Sequence, residues 1–179
     1  AQRGLNANVS VKLSQIGMDF DPELAEKIVG EMVEHAAAVH SFVRIDMEGS
    51  PYTEATIAIT ERLAARFPGS VGTVLQAYLY RTEADAERLL AQGIRIRLCK
   101  GAYKEPPSLA FPAKADVDAN YVKLMKRLAT FTQNDRGVFC GIATHDEAIV
   151  DTMRTFVQQH NVAKNAFEFQ MLYGIRRDL

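Results

Sequence analysis

The sequence predicts an α/β barrel of the (β/α)8 type, represented by about six βα units. Two observations carry this. Short runs rich in β-branched and aromatic residues alternate with longer runs of helical spacing, in units of roughly 30 residues, the size of a right-handed parallel crossover. The strand runs also have one apolar and one charged face. Val9-Ser10-Val11-Lys12-Leu13, Val43-Arg44-Ile45-Asp46-Met47-Glu48, Ile94-Arg95-Ile96-Arg97-Leu98 and Phe167-Glu168-Phe169-Gln170-Met171 all alternate. Parallel strands covered by helices on both faces read instead as nearly continuous apolar runs. A face bearing Lys12, Arg44, Asp46, Glu48, Arg95, Arg97 and Glu168 suits a barrel lumen, where these charges can pair with one another. The alternative is a sheet with one face in water.

In chain order, the strand runs are 9–13, 42–48, 71–79, 94–99, 138–143 and 167–172. Asp21 as N-cap with Pro22 in the first turn opens the first helix, and Leu24, Ile28, Met32 and Ala36 give it an apolar stripe. Thr53 precedes the second helix, whose Ile59, Leu63 and Phe67 share a face before Pro68-Gly69 stops it. Thr82 with Asp85 three residues on resembles a capping box, and that helix ends at Gly93. Leu124, Leu128 and Phe131 stripe the fourth helix. Ile149, Met153 and Phe156 stripe the fifth, with Asp146 as its N-cap. No low-complexity stretch or Ser/Gly linker interrupts the pattern, so residues 1–179 read as a single barrel domain. A complete barrel takes about 250 residues and eight units, so this one is expected to be incomplete.

Composition narrows the function classes. The chain has 179 residues, 47% hydrophobic and 24% charged, with 21 basic against 22 acidic side chains. A net charge of −1 lacks the electrostatic footprint of a nucleic-acid binder. No apolar run approaches the roughly 18 residues of a membrane span. Cys99 and Cys140 lie in apolar stretches and fit a reducing, cytoplasmic compartment rather than a disulfide framework. The amino end carries neither an initiator Met nor a hydrophobic targeting core.

In such barrels the chemistry sits at the carboxyl ends of the strands, and ionisable residues concentrate there. Lys12 and Lys100 are candidates for Schiff-base chemistry or for plain ion pairs. Metal ligation has little support. His145 and Asp146 are adjacent, and His35, His40 and His160 fall in helices or at helix ends. Neither a G-x-G-x-x-G nor a Walker-type loop is present. Gly101 follows a cationic strand end, where backbone can approach a phosphate. Arg97 either places a fixed positive charge near an electron-rich ring or pairs with Asp46 or Glu48. The segment 103–115, with Pro106, Pro107 and Pro112, is long for a βα connection and reads as a lid, a site lining or a stiffened surface excursion.

Taken together, the rim segments resemble those of the proline dehydrogenase family, most closely its bacterial monofunctional form. The resemblance rests on Asn8-Val9-Ser10-Val11-Lys12-Leu13-Ser14, Arg44-Ile45-Asp46-Met47-Glu48 and Gln76-Ala77-Tyr78-Leu79-Tyr80-Arg81. It continues in Arg97-Leu98-Cys99-Lys100-Gly101-Ala102-Tyr103-Lys104-Glu105, Ala143-Thr144-His145-Asp146 and Phe167-Glu168-Phe169-Gln170-Met171-Leu172-Tyr173-Gly174. It implies a distorted barrel holding non-covalent FAD. The implied reaction oxidises L-proline to Δ1-pyrroline-5-carboxylate by hydride transfer to flavin N5, with electrons passed to a membrane quinone and peripheral association with the inner face of the cytoplasmic membrane. By motif, Lys12 resembles the lysine that pairs with the substrate carboxylate, and Asp46 and Arg97 resemble the catalytic-site acid and the arginine near N5. Met47, Gln76, Gly101, Ala102, Tyr103, Thr144 and His145 resemble flavin contacts.

Set against the family, the catalytic barrel is expected to lack its first strand, eighth strand and last helix, with the arginine pair and the late tyrosine of the substrate site. Arg176-Arg177 is not that pair, since it directly follows a strand end. The isolated fragment is therefore expected not to turn over proline. The competing readings are another flavin barrel of methylenetetrahydrofolate reductase type, a Schiff-base lyase using Lys12 or Lys100, and a non-catalytic assembly half.

Overall fold

The computed structural model describes residues 7–134 and 139–179. Six parallel strands stand side by side in chain order: β1 Val9–Val11, β2 Val43–Ile45, β3 Val71–Gln76, β4 Arg95–Cys99, β5 Cys140–Ala143 and β6 Phe167–Gln170. Helices α1 Pro22–Ala38, α2 Ser50–Arg66, α3 Thr82–Leu90, α4 Lys114–Asn134 and α5 Glu147–His160 connect them, and a 3-10 turn, Ser14–Ile16, follows β1.

The sheet curls around its charged face. Arg97 on β4 donates to Asp46, one residue past β2, at 3.3 Å and also to Gln170 on β6. In a flat sheet β2 and β6 would lie about 19 Å apart, four strand spacings, too far for one guanidinium to link their side chains comfortably. The apolar face packs outward under the helices. Leu75, Ile96, Leu98 and Ile142 are buried with Leu89, Tyr121, Leu124, Leu128 and Met153, while Ile45 and Val43 pack with Val29, Val33 and Leu63. The buried Tyr121 donates its hydroxyl to the Leu98 carbonyl at 3.1 Å, which ties α4 to β4. One apolar stripe per helix against one apolar sheet face is the half-barrel arrangement the alternation predicts.

The strands are shorter than their sequence runs because the chain leaves the ladder where the rim residues begin. Val138, the start of one predicted run, lies outside the described residues. The first helix is rotated by about one position from its expected stripe. Ala25, Val29, Gly30 and Val33 are buried, whereas Leu24 is 48% exposed. Ile28, Met32 and Ala36 flank the buried face and line an open apolar groove beside β1. The second helix begins at Ser50 rather than after Thr53, with Pro51 in its first turn. No capping box forms at α3: the Thr82 hydroxyl donates to the Gln76 carbonyl, and Asp85 accepts from Arg81. Asp146 stands at the N-cap position of α5, and its carboxylate also pairs with Lys100 at 2.7 Å.

Asp21 caps as expected, accepting from the Leu24 N–H at 3.0 Å. Asp21→Ala is expected to cost about 1 kcal/mol of stability, read as a lower urea midpoint at unchanged slope.

The lumen charges pair only in part. Lys12 and Arg97 share Asp46, but Glu48 turns to Ser14 and Glu168 accepts from Gln170. Arg44 and Arg95 both lie over the Phe42 ring, at 5.0 and 4.9 Å. Burial, then repulsion from Arg97, pulls the Arg44 guanidinium down to about 10. These two arginines sit nearer the amino ends of the strands, one register step below Asp46 and Arg97.

Candidate active site

An open cleft of about 790 Å³ lies at the carboxyl ends of the strands. It gathers side chains far apart in sequence: Lys12 just past β1, Asp46 and Met47 just past β2, Gln76 ending β3, and Arg97 on β4. Gly101, Ala102 and Tyr103 follow β4, and Thr144 and His145 follow β5. Every residue singled out from the sequence as a catalytic, substrate or cofactor candidate thus lines one cleft. The period-two alternation of a strand accounts for the pairing of Asp46 with Arg97, since both occupy inward positions.

Asp46 is the centre of charge. Its Oδ2 lies 3.4 Å from Lys12 Nζ and its Oδ1 3.3 Å from Arg97 Nη1. Two cations on one carboxylate leave a net positive charge, and the cleft is accordingly complementary to an anionic or electron-rich ligand. Arg97 directs its Nε–H to Gln170, so its guanidinium plane is held from strands on either flank of β4.

Two cleft residues carry buried polar atoms that have no hydrogen-bond partner among the described residues: Gln76 Oε1 and His145 Nδ1. His145 Nε2 accepts the Leu172 N–H at 3.1 Å, which places the ring proton on Nδ1. The cleft therefore presents one unused acceptor and one unused donor.

Gly101 has φ +120°, and a Cβ there would fall about 2.5 Å from the ring atoms of Tyr78. The glycine is required by the Tyr78 ring, which occupies the space a side chain would need. Burial pushes the Tyr78 phenol up to about 12, with the Glu105 charge adding to it.

The segment from Tyr103 to the start of α4 is clasped on three sides. Glu105 accepts both the Ser50 N–H, at 2.7 Å, and the Ser50 hydroxyl, at 2.5 Å, and so caps α2 from 55 residues away. Glu48 repeats the device one unit earlier, accepting the Ser14 N–H at 3.0 Å and its hydroxyl. Tyr80 N–H donates to the Leu109 carbonyl and Phe111 N–H to the Tyr78 carbonyl, and the Tyr80 and Phe111 rings meet edge to face at 4.6 Å. On the third side, Lys100 pairs with Asp118 at 2.6 Å and Asp146 at 2.7 Å. Glu105→Ala is expected to cost about 1 kcal/mol. It is also expected to expose the 103–113 segment to proteolysis, read by limited digestion and mass spectrometry.

That same knot bears on Schiff-base chemistry. Burial alone would lower the Lys100 ammonium, but hydrogen bonds to Asp118 and Asp146 outweigh it and the group is raised overall. A lysine held charged is not a nucleophile at neutral pH.

Sequence reasoning passed over Val74, Cys99 and Ala143, which also line the cleft, and over the roles of Gln170, Glu105 and Tyr78. Alternation with Glu168 on the charged face is the signal that marks Gln170. Nothing local marks Glu105, whose partner lies on another unit. Among the described residues no group of three or more His, Cys, Asp or Glu side chains could hold a metal ion, and no helix is long and apolar enough to cross a membrane.

A curled parallel sheet, helices on its outer face and a polar cleft at its carboxyl rim define an α/β barrel protein of the (β/α)8 class. The family model for proline dehydrogenase matches residues 2–179, and the chain belongs to the proline dehydrogenase family. It is 41% identical over 180 residues to a proline dehydrogenase of Deinococcus radiodurans and 39% identical over 176 residues to proline dehydrogenase 2 of Bacillus subtilis. Each comparison covers 98% of this chain and 56% of the relative, so the chain spans about half the length of the curated relatives it matches.

Among solved structures, proline utilization A of Bdellovibrio bacteriovorus, inactivated by N-propargylglycine, superposes with a TM-score of 0.79 at 26% identity, covering 92% of this chain and 20% of that one. A variant of proline utilization A from Bradyrhizobium japonicum shares the fold with a TM-score of 0.80 at 23% identity, covering 93% and 19%.

Proposed function

We propose that this chain forms the cofactor platform and one side of the substrate site of an FAD-dependent L-proline dehydrogenase. When bound, FAD would supply the hydride acceptor, N5, for oxidation of proline to Δ1-pyrroline-5-carboxylate, with a quinone taking the electrons. The single observation that carries this reading is the Lys12–Asp46–Arg97 arrangement at the rim of a family-matched barrel.

Lys12 would meet the substrate carboxylate, since its ammonium stands at the open side of the cleft with 39% of its side chain exposed. Arg97 supplies a fixed positive charge, which favours an electron-rich ring more as that ring gains negative charge. Asp46 holds both cations and acts by position, because the substrate amine can lose its proton elsewhere.

The residues fit the cofactor. A flavin pyrimidine edge presents an imide N–H and carbonyl oxygens, and the cleft presents the unpartnered Gln76 Oε1 acceptor and the His145 Nδ1–H donor. Met47, Thr144 and the Gly101-Ala102-Tyr103 turn would complete the walls. A quinone acceptor is membrane-dissolved, so this reading also carries peripheral attachment to the inner face of the cytoplasmic membrane.

The natural full-length protein, purified and supplied with FAD, is expected to show bound-flavin absorption that bleaches anaerobically on adding L-proline. Bleaching by a reduced folate and not by proline overturns the substrate. Absence of bound flavin overturns the cofactor.

A further inference from the structure

We propose that Gln170 is a positioning residue for Arg97, and that its neutrality keeps the arginine's positive charge available to the cleft. The inference deepens the flavin reading above and rests on it. Gln170 Oε1 accepts from Arg97 Nε, and Gln170 Nε2 donates to Glu168 at 2.5 Å, so both ends of the amide are used and its orientation is fixed. The side chain reaches Arg97 across β5, and only a glycine on that strand permits it. A Cβ on Gly141 would lie 2.5 Å from Gln170 Nε2 and 2.7 Å from its Cδ. With Asp46 on Nη1 and Gln170 on Nε, the guanidinium plane is set by anchors from strands on either flank of β4.

The chemistry of the second anchor matters as much as its place. Lys12 and Arg97 against Asp46 leave one net positive charge at the cleft. A carboxylate at position 170 could still accept from Arg97 Nε, but it would cancel that charge and meet Glu168 as a like charge in place of the amide's donor. An amide orients without neutralising, which suits an arginine whose task is to favour negative charge on a bound ring.

The test compares Gln170→Glu and Gln170→Leu in the natural full-length protein, with Gln170→Met as a second apolar variant should leucine prevent folding. Two readouts are used. The first needs no flavin: the Arg97 Nε–H signal in nitrogen-15 NMR spectra, assigned by its loss in Arg97→Lys. It is expected to be slow to exchange with solvent in the wild type and in Gln170→Glu, and lost to exchange in the apolar variants. An unchanged signal in the apolar variants overturns the positioning role.

The second readout is the flavin midpoint potential, expected to shift negative in Gln170→Glu and to move little in the apolar variants. In both kinds of variant kcat is expected to fall about tenfold, with KM for proline held within about twofold, because the lost interaction acts on the transition state. A potential unmoved in Gln170→Glu overturns the charge argument. Failure of the protein to bind flavin overturns the reading beneath it, while the NMR result still decides whether Gln170 positions Arg97.

Discussion

In the natural full-length protein, on the proline-oxidising reading proposed above, Arg97→Met is expected to lower kcat/KM for L-proline by about 10²–10³-fold, the usual cost of removing a preorganised electrostatic group from a site. The arginine is 24% exposed in its side chain, lies between β2 and β6 partners, and lines the cleft beside Lys12 and Cys99. Methionine fills a similar volume, so the change reports on charge and hydrogen bonding more than on packing. Asp46 keeps Lys12, but the cleft then changes from one net positive charge to none. Arg97→Lys separates charge from geometry. An ammonium is a single centre without the planar fork and cannot reach both anchors on the strands flanking β4, so an intermediate loss is expected. Steady-state kinetics and anaerobic stopped-flow reduction of the flavin measure both variants. A Met variant within about threefold of wild type would show that Arg97 does no electrostatic work in this site.

The second large effect is structural. Gly101→Ala is expected to destabilise the protein by about 2–4 kcal/mol, combining a φ that L residues avoid with a Cβ driven into an aromatic ring. The residue has φ +120° and the Tyr78 ring already occupies the space a side chain needs. Tyr78 is 8% exposed and packs with Leu79 and Ala110, so it has little freedom to withdraw. Denaturant unfolding of Gly101→Ala, Tyr78→Ala and the double variant separates the two causes. The steric part should be relieved in the Tyr78→Ala background, giving a coupling energy of about 1–2 kcal/mol, while the backbone part should persist. Full additivity would mean that the ring moves aside freely. On the flavin reading proposed above, weaker FAD binding is expected to accompany the loss of stability, because Ala102 and Tyr103 follow directly along the cleft wall.

Much of this was legible in the sequence because it follows from period. Alternating charged and apolar positions in β1, β2, β4 and β6 marked a sheet with one polar face, and that face is concave with Arg97 linked to both Asp46 and Gln170. The rim residues were equally readable, since Lys12, Asp46, Lys100 and the Thr144-His145 pair stand at or one step past the strand ends. Helix faces were less so. In α1 the apolar residues Leu24, Ala25, Ile28, Val29, Met32 and Val33 come in adjacent pairs, so two stripes one position apart fit the spacing, and only contact with β2 and α2 selects Ala25, Val29 and Val33.

What the sequence by itself determined is the order of βα units, the inward side of each strand and the identity of the side chains at the rim. All three depend on neighbours a few residues apart. What only the tertiary structure decided is the use those side chains are put to. Asp146 at its helix cap pairs with Lys100 from another unit, Glu105 caps a helix 55 residues away, and Gln170 reaches over Gly141 to hold Arg97. The reason is physical. A carboxylate or amide satisfies its hydrogen bonds with whichever partner the fold brings nearest, and curling the sheet brings together residues that no local pattern connects.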